Sequence, residues 1–306
     1  MLRTEESVIL VPGPWRHTEV TANGARFHLA ECGPADGPLV LLLHGFPQFW
    51  WAWRHQLRAL GEQGFRAVAP DLRGYGASDK PPRGYDAYTL SSDVAGMVRA
   101  LGAQDAVIVG HGWGGILAWS VATLHPRVVR RLAVLAMPHP LRLRQTLRPG
   151  TGQLRASSYV GYFQVPKAPE AKLRRDDAAF VGTLLRRWGG PDFPHAETEQ
   201  RYRAAMQVPG VAHCALEGYR WAARSRIRPS GMRFQRLLER GMDTDVLQIH
   251  GALDRCALAT TAHGSGAWVR GAYELQVLGD VGHFPHEEAA EEVTAALVAH
   301  ASGAQP

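Results

Sequence analysis

Apolar residues along this chain fall into short unbroken runs separated by longer stretches with helical spacing. The runs at 37–45 (GPLVLLLHG), 65–71 (FRAVAPD), 105–111 (DAVIVGH), 131–137 (RLAVLAM), 245–251 (DVLQIHG) and 272–279 (AYELQVLG) predict strands. Several are apolar on both faces, as parallel strands covered by helices should be. Stretches such as WAWRHQLRALGEQG, LSSDVAGMVRALG and EEAAEEVTAALVAH read as helices between or after them. Ahead of the first run, WRHTEVTANGARFHLAEC predicts a hairpin turning at Asn23-Gly24. A hairpin followed by βα alternation predicts an α/β fold with a mostly parallel central sheet flanked by helices.

The alternation stops after Pro138. Residues 139–241 contain no convincing buried strand, only helix-sized pieces such as DDAAFVGTLLRRWG and ETEQRYRAAMQV. They predict a helical lid inserted after the sixth strand. The chain then divides into a first core part (1–138), the lid (139–241) and a second core part (242–306).

Composition narrows the class. The 306 residues are 45% hydrophobic and 20% charged, the balance of a folded soluble protein rather than a disordered one. No run of about 18 apolar residues predicts a transmembrane helix. The opening MLRTEESVILVPGPW lacks a basic start and long apolar core, so no secretory signal is expected, and only the closing ASGAQP reads as frayed. Cys32, Cys214 and Cys256 lack metal or disulfide spacing, which fits incidental thiols in a reducing cytoplasm. The net charge of +6 is local: residues 140–240 hold 19 Lys and Arg against 8 Asp and Glu. A solvated basic surface is the plain reading and an anionic partner the sharper one. No nucleic-acid motif accompanies these arginines.

The stretch VIVGHGWGGILAW (107–119) has the strand–turn–helix form of a nucleophile elbow. Gly110, Gly114 and Gly115 give room for a tight turn and a close helix–strand approach. No Lys-Ser/Thr pair follows, which excludes a phosphate-binding loop. The position that carries the nucleophile in such elbows is Gly112, which has no side chain. Asp254 follows the fifth buried run and His283 the sixth, and nucleophile, acid, histidine is the chain order of α/β-hydrolases. A carboxylate at Asp254 would orient the His283 imidazole, which could then take a proton from water. The turn after His44 places the Phe46 amide where, with the Trp113 amide, it would form an oxyanion hole. His44 and His111 read as structural hydrogen-bonding residues.

The chain resembles α/β-hydrolase-fold epoxide hydrolases over nearly its whole length. HGFP, DLRGYGASDKP, GHGWGG, SYVGYFQVP, GYR and GHFPHEE stand in the family's order. The resemblance implies hydrolysis of a small apolar epoxide to a vicinal diol, with no metal and no cofactor, and leaves a homodimer open. It implies that Tyr159 and Tyr219 hold the epoxide oxygen, and it places Pro47 and Trp50 with Phe46 and Trp113 on the substrate side; Tyr162 reads as packing. A carboxylate attacks carbon in this family, giving an alkyl-enzyme ester that water then cleaves. The departure is the elbow itself, GHGWGG where the family has GHDWGG. Asp105, at the start of its strand, lies too far from the tip to substitute. Loss of a nucleophile that works as a unit with its base costs several orders of magnitude in rate. A ligand-binding pseudo-hydrolase and a nucleophile-free lyase or isomerase using His283 as base are the alternatives. A dehalogenase fits less well, because that chemistry needs the same carboxylate and has little use for two phenols.

Overall fold

A computed structural model describes residues 5–303. Its centre is an eight-stranded sheet: β1 (Arg16–Ala22), β2 (Ala25–Cys32), β3 (Leu39–Leu43), β4 (Arg66–Pro70), β5 (Ala106–His111), β6 (Val129–Leu135), β7 (Val246–Gly251) and β8 (Tyr273–Leu278). The strand order is β1-β2-β4-β3-β5-β6-β7-β8. β1 and β2 form the expected hairpin, with positive φ at Asn23 (48°) and Gly24 (74°), and β2 runs antiparallel to β4. All other neighbours are parallel. β3 and β5 are buried along their entire length. Helices cover both faces of these strands, so continuous apolar sequence, rather than alternation, is what they need.

The chain leaves β3 toward β4 on one side and returns to β5 on the other. This reversal opens a crevice at the carboxyl ends of β3 and β5, where open α/β sheets place their ligands. The turn at Gly45–Pro47 follows β3, Gly112 follows β5, Asp254 follows β7 and His283 follows β8. Four distant pieces of sequence therefore converge on one edge of the sheet.

Between β6 and β7 run seven α-helices and no strand: Pro140–Thr146, Gly152–Ala156, Ser158–Tyr162, Ala168–Trp188, Ala196–Met206, Val211–Arg224 and Pro229–Glu239. The longest of these breaks at Arg175–Ala178, where Asp176, Asp177 and Ala178 have positive φ. Beyond the break, Val181, Leu184, Leu185 and Trp188 fall on one buried face. Among the described residues four arginines of this segment sit in ion pairs, Arg186, Arg201, Arg203 and Arg220, with Arg201–Glu197 and Arg220–Glu170 both at 2.8 Å. At the C-terminus the last helix, Ala290–Ser302, takes in Ala301, which is buried. The start of the tail expected to fray is thus ordered, and residues 304–306 lie outside the described residues, as do 1–4. Among the described residues no helix is long and apolar enough to cross a membrane.

Candidate active site

The elbow follows from close packing of glycines. A Cβ on Gly110 would stand 2.2 Å from the Gly114 carbonyl oxygen, and one on Gly114 would stand 2.2 Å from that of Leu43. Side chains at either place would force the Trp113–Leu124 helix away from β3 and β5. At the tip, Gly112 has φ 53° and ψ −116°, a conformation that L side chains rarely adopt. A Cβ built there meets His283 Nε2 at 3.3 Å and Gly45 Cα at 3.8 Å, with no backbone in its way. A Cβ at this position would therefore press on the His283 ring, while its nearest backbone neighbour stands at an ordinary contact distance.

His283 and Asp254 are buried and joined, Nδ1 to Oδ2, at 2.8 Å. The other carboxylate oxygen, Oδ1, accepts from the backbone N–H groups of Cys256 (2.7 Å) and Ala257 (2.9 Å). His250 Nε2 stands 3.2 Å from Oδ2. Burial opposes ionisation of Asp254, yet His283 and His250 hold its carboxyl well below the usual carboxylate range. Burial likewise pushes the His283 imidazole down, but the Asp254 carboxylate, with Cys256, overcomes it and holds the ring well above the ordinary histidine value. The ring position is fixed from behind. The His283 N–H donates to the Trp188 carbonyl at 2.9 Å, and its own carbonyl accepts from His111 Nε2 at 2.6 Å.

The two tyrosines close the opposite side. Tyr159 lies on the Ser158–Tyr162 helix and Tyr219 on Val211–Arg224, with ring centroids 6.0 Å apart. Trp188 packs between Tyr159 (5.0 Å, tilted) and His283 (5.7 Å, edge-on), while Tyr219 packs on Trp113 (4.7 Å) and Phe46 (5.7 Å). Burial keeps both phenols well above the ordinary tyrosine value, so they remain proton donors; Cys256 and Tyr219 add to this for Tyr159, and Tyr75 and Cys256 for Tyr219. Arg220, the last residue of GYR, ties the two tyrosine segments together by donating to the carbonyls of Phe163 (3.0 Å) and Val165 (3.2 Å). The backbone N–H groups of Phe46 and Trp113 have no hydrogen-bond partner among the described residues, and Trp113 opens its helix.

The structure therefore gathers Gly112, Asp254, His283, Tyr159, Tyr219, Phe46 and Trp113, with Pro47 buried beside Phe46. It does not gather Trp50. That indole packs against Trp15 and His17 under the β1–β2 hairpin, and its N–H donates to the Ile9 carbonyl at 2.8 Å. A buried indole needs an acceptor for its N–H, and the N-terminal segment offers one where the crevice does not. Tyr162 packs on Phe163, and Asp105 pairs on the surface with Arg130 (2.7 Å). His44 and His111 serve structure, His44 Nε2 accepting from the Leu72 N–H at 3.1 Å. Sequence reasoning missed Trp188 and His250, and it missed Cys256, whose Sγ lies 3.4 Å from the Tyr159 hydroxyl. It also missed a buried network behind His111. Gln48 Oε1 lies 2.9 Å from His111 Nδ1, and Gln48 Nε2 donates to Glu287 (2.7 Å), which also accepts from Tyr202 (2.6 Å) and Arg54 (2.7 Å). A surface hollow of about 810 Å³ lined by residues including Leu141, Arg144, Arg148 and Trp268 shares no residue with this cluster.

The arrangement can polarise an oxygen between two phenols, stabilise an oxyanion at two amides and pass a proton through an imidazole. Comparison with known proteins gives it a family. The α/beta hydrolase fold model matches residues 38–290. Epoxide hydrolase A of Mycobacterium tuberculosis (strain ATCC 25618 / H37Rv) is 30% identical over 319 aligned residues, covering 93% of this chain and 96% of that protein. The chain belongs to the epoxide hydrolase family of α/β-hydrolases. Another member of the superfamily, the AB hydrolase superfamily protein YfhM of Bacillus subtilis (strain 168), is 38% identical over 66% of this chain and 71% of its own length. Among solved structures, Epoxide Hydrolase A from Mycobacterium thermoresistibile superposes with a TM-score of 0.81 at 28% identity, covering 94% of this chain and 98% of that one.

Proposed function

We propose that this member of the epoxide hydrolase family binds a small apolar epoxide beneath a helical lid, residues 139–241, and has lost the covalent step of diol formation at Gly112. Tyr159 and Tyr219 hold the epoxide oxygen, and His283 with Asp254 forms the water-activating pair. The Phe46 and Trp113 amides receive the charge that develops on an ester carbonyl. The observation that carries this reading is the 3.3 Å between His283 Nε2 and the place where a Cβ at Gly112 would stand. The base thus stands against the position where the family's carboxylate would begin. Direct attack by water is disfavoured as the main route, because a positioned base alone contributes only about 10²–10⁴-fold and the covalent step has no carboxylate to run on. Retention of an epoxide without rapid turnover is therefore the expected behaviour of the chain.

Substituting Gly112→Asp tests this. The variant is expected to hydrolyse styrene oxide to its diol at a rate several orders of magnitude above the parent. With His283→Gln added, the alkyl-enzyme ester should accumulate and appear in the intact mass as protein plus epoxide. A folded Gly112→Asp protein inert toward a broad epoxide panel, with no such adduct, would overturn the proposal.

A further inference from the structure

We infer that the open position at Gly112 is a binding site for a small carboxylate of formate size, and that a carboxylate held there supplies the attacking oxygen the chain lacks. The inference rests on the epoxide reading for the bond that is made, but not for the anion that is bound.

Three donor groups belong to the elbow and the two loops beside it. His283 Nε2 is 3.3 Å from the built Cβ position and the residue is 2% exposed, with Cys256 as a second hydrogen-bonding neighbour of the ring beside Asp254. The Trp113 amide begins a helix of 12 residues, so it presents an unpaired donor and the positive end of a helix dipole. The Phe46 amide is the second unpaired donor. The Asp254 carboxylate faces the other edge of the ring and favours its cationic form, leaving Nε2–H to donate toward the open position. A carboxylate there would receive charge-assisted hydrogen bonds in surroundings sheltered from water. Size sets the choice: with His283 Nε2 at 3.3 Å and Gly45 Cα at 3.8 Å from the built Cβ, the smallest carboxylate is the one proposed.

The bond changes balance without an oxidant or metal. One formate oxygen attacks a ring carbon of the epoxide from the face opposite the oxygen, and that carbon's own C–O bond breaks. The released oxygen takes the phenolic proton of Tyr159 or Tyr219, which solvent water restores. The product is a hydroxyalkyl formate, free to leave because the carboxylate is not part of the chain.

The test uses the full chain, sodium formate and styrene oxide. In protein labelled with ¹⁵N at histidine, the His283 ring signal is identified by its loss in His283→Gln. Formate is expected to shift that signal saturably in the parent, and not in Gly112→Asp, whose own carboxylate occupies the site. With styrene oxide present, consumption should rise saturably with formate to roughly tenfold or more above the formate-free rate, the gain expected of a positioned reactant. Mass spectrometry should find the hydroxyalkyl formate, and pivalate should give no acceleration. Absence of a saturable shift, or equal acceleration by pivalate, would overturn the site. A shift without ester would overturn the attacking role, provided Gly112→Asp hydrolyses the same epoxide. Inertness of Gly112→Asp would instead locate the failure in the epoxide reading.

Discussion

At the scale of single residues, the two phenols and the histidine make separable predictions. In the Gly112→Asp background each of Tyr159→Phe and Tyr219→Phe removes one donor to the breaking C–O bond. Loss of a comparable transition-state donor costs about 10²–10³-fold. Single-turnover measurements should show that cost in ester formation while ester hydrolysis, which the phenols do not touch, keeps its rate. His283→Gln should do the reverse and leave ester formation intact. That Tyr159 and Tyr219, whose rings stand 6.0 Å apart, belong together is legible because SYVGYFQ and GYR are local patterns. The role of Cys256 is not, because a thiol two residues beyond an aspartate says nothing about the Tyr159 hydroxyl, which arrives from 97 residues away.

At the scale of elements, the loops that carry the site pack backbone against backbone. A Cβ on Gly282 would lie 2.4 Å from both Gly189 C and Gly190 N, and one on Gly251 would lie 2.0 Å from the Gly282 oxygen. Gly282→Ala must therefore separate the end of the Ala168–Trp188 helix from the loop bearing His283. Overpacking of this kind costs about 1–3 kcal/mol. Urea unfolding should show the loss in the parent, and in the Gly112→Asp background ester hydrolysis should fall further than ester formation, since His283 is what moves. The strands were readable because β3 and β5 are apolar on both faces, and the hairpin because Asn-Gly favours positive φ. The glycine contacts were not, because a glycine does not reveal which distant backbone approaches it. Trp50 misled for a related reason: its proximity to HGFP in sequence outweighed an acceptor at Ile9 that only the folded chain supplies.

For the molecule as a whole, the buried His283–Asp254 pair links stability to pH in two directions. The His283 pKa is raised on folding, so its contribution is full below the unfolded value of about 6.5 and fades as pH climbs through the folded value. That of Asp254 is depressed, so its contribution is full above the unfolded value of about 3.9 and fades as pH falls through the folded value. Urea midpoints followed from about pH 5 to about pH 10 should fall at the alkaline end more steeply for the parent than for His283→Gln. Equal slopes would show that the pair does not hold its proton in the native state.

The positive φ at Gly112 has one more effect. An aspartate forced into that backbone conformation carries about 1–3 kcal/mol of strain that glycine does not. The present chain should therefore melt higher than its Gly112→Asp variant, with the same elbow and nearly the same packing in both. The difference in their unfolding free energies measures, in one substitution, how much stability an enzyme of this architecture gives up to hold its nucleophile ready.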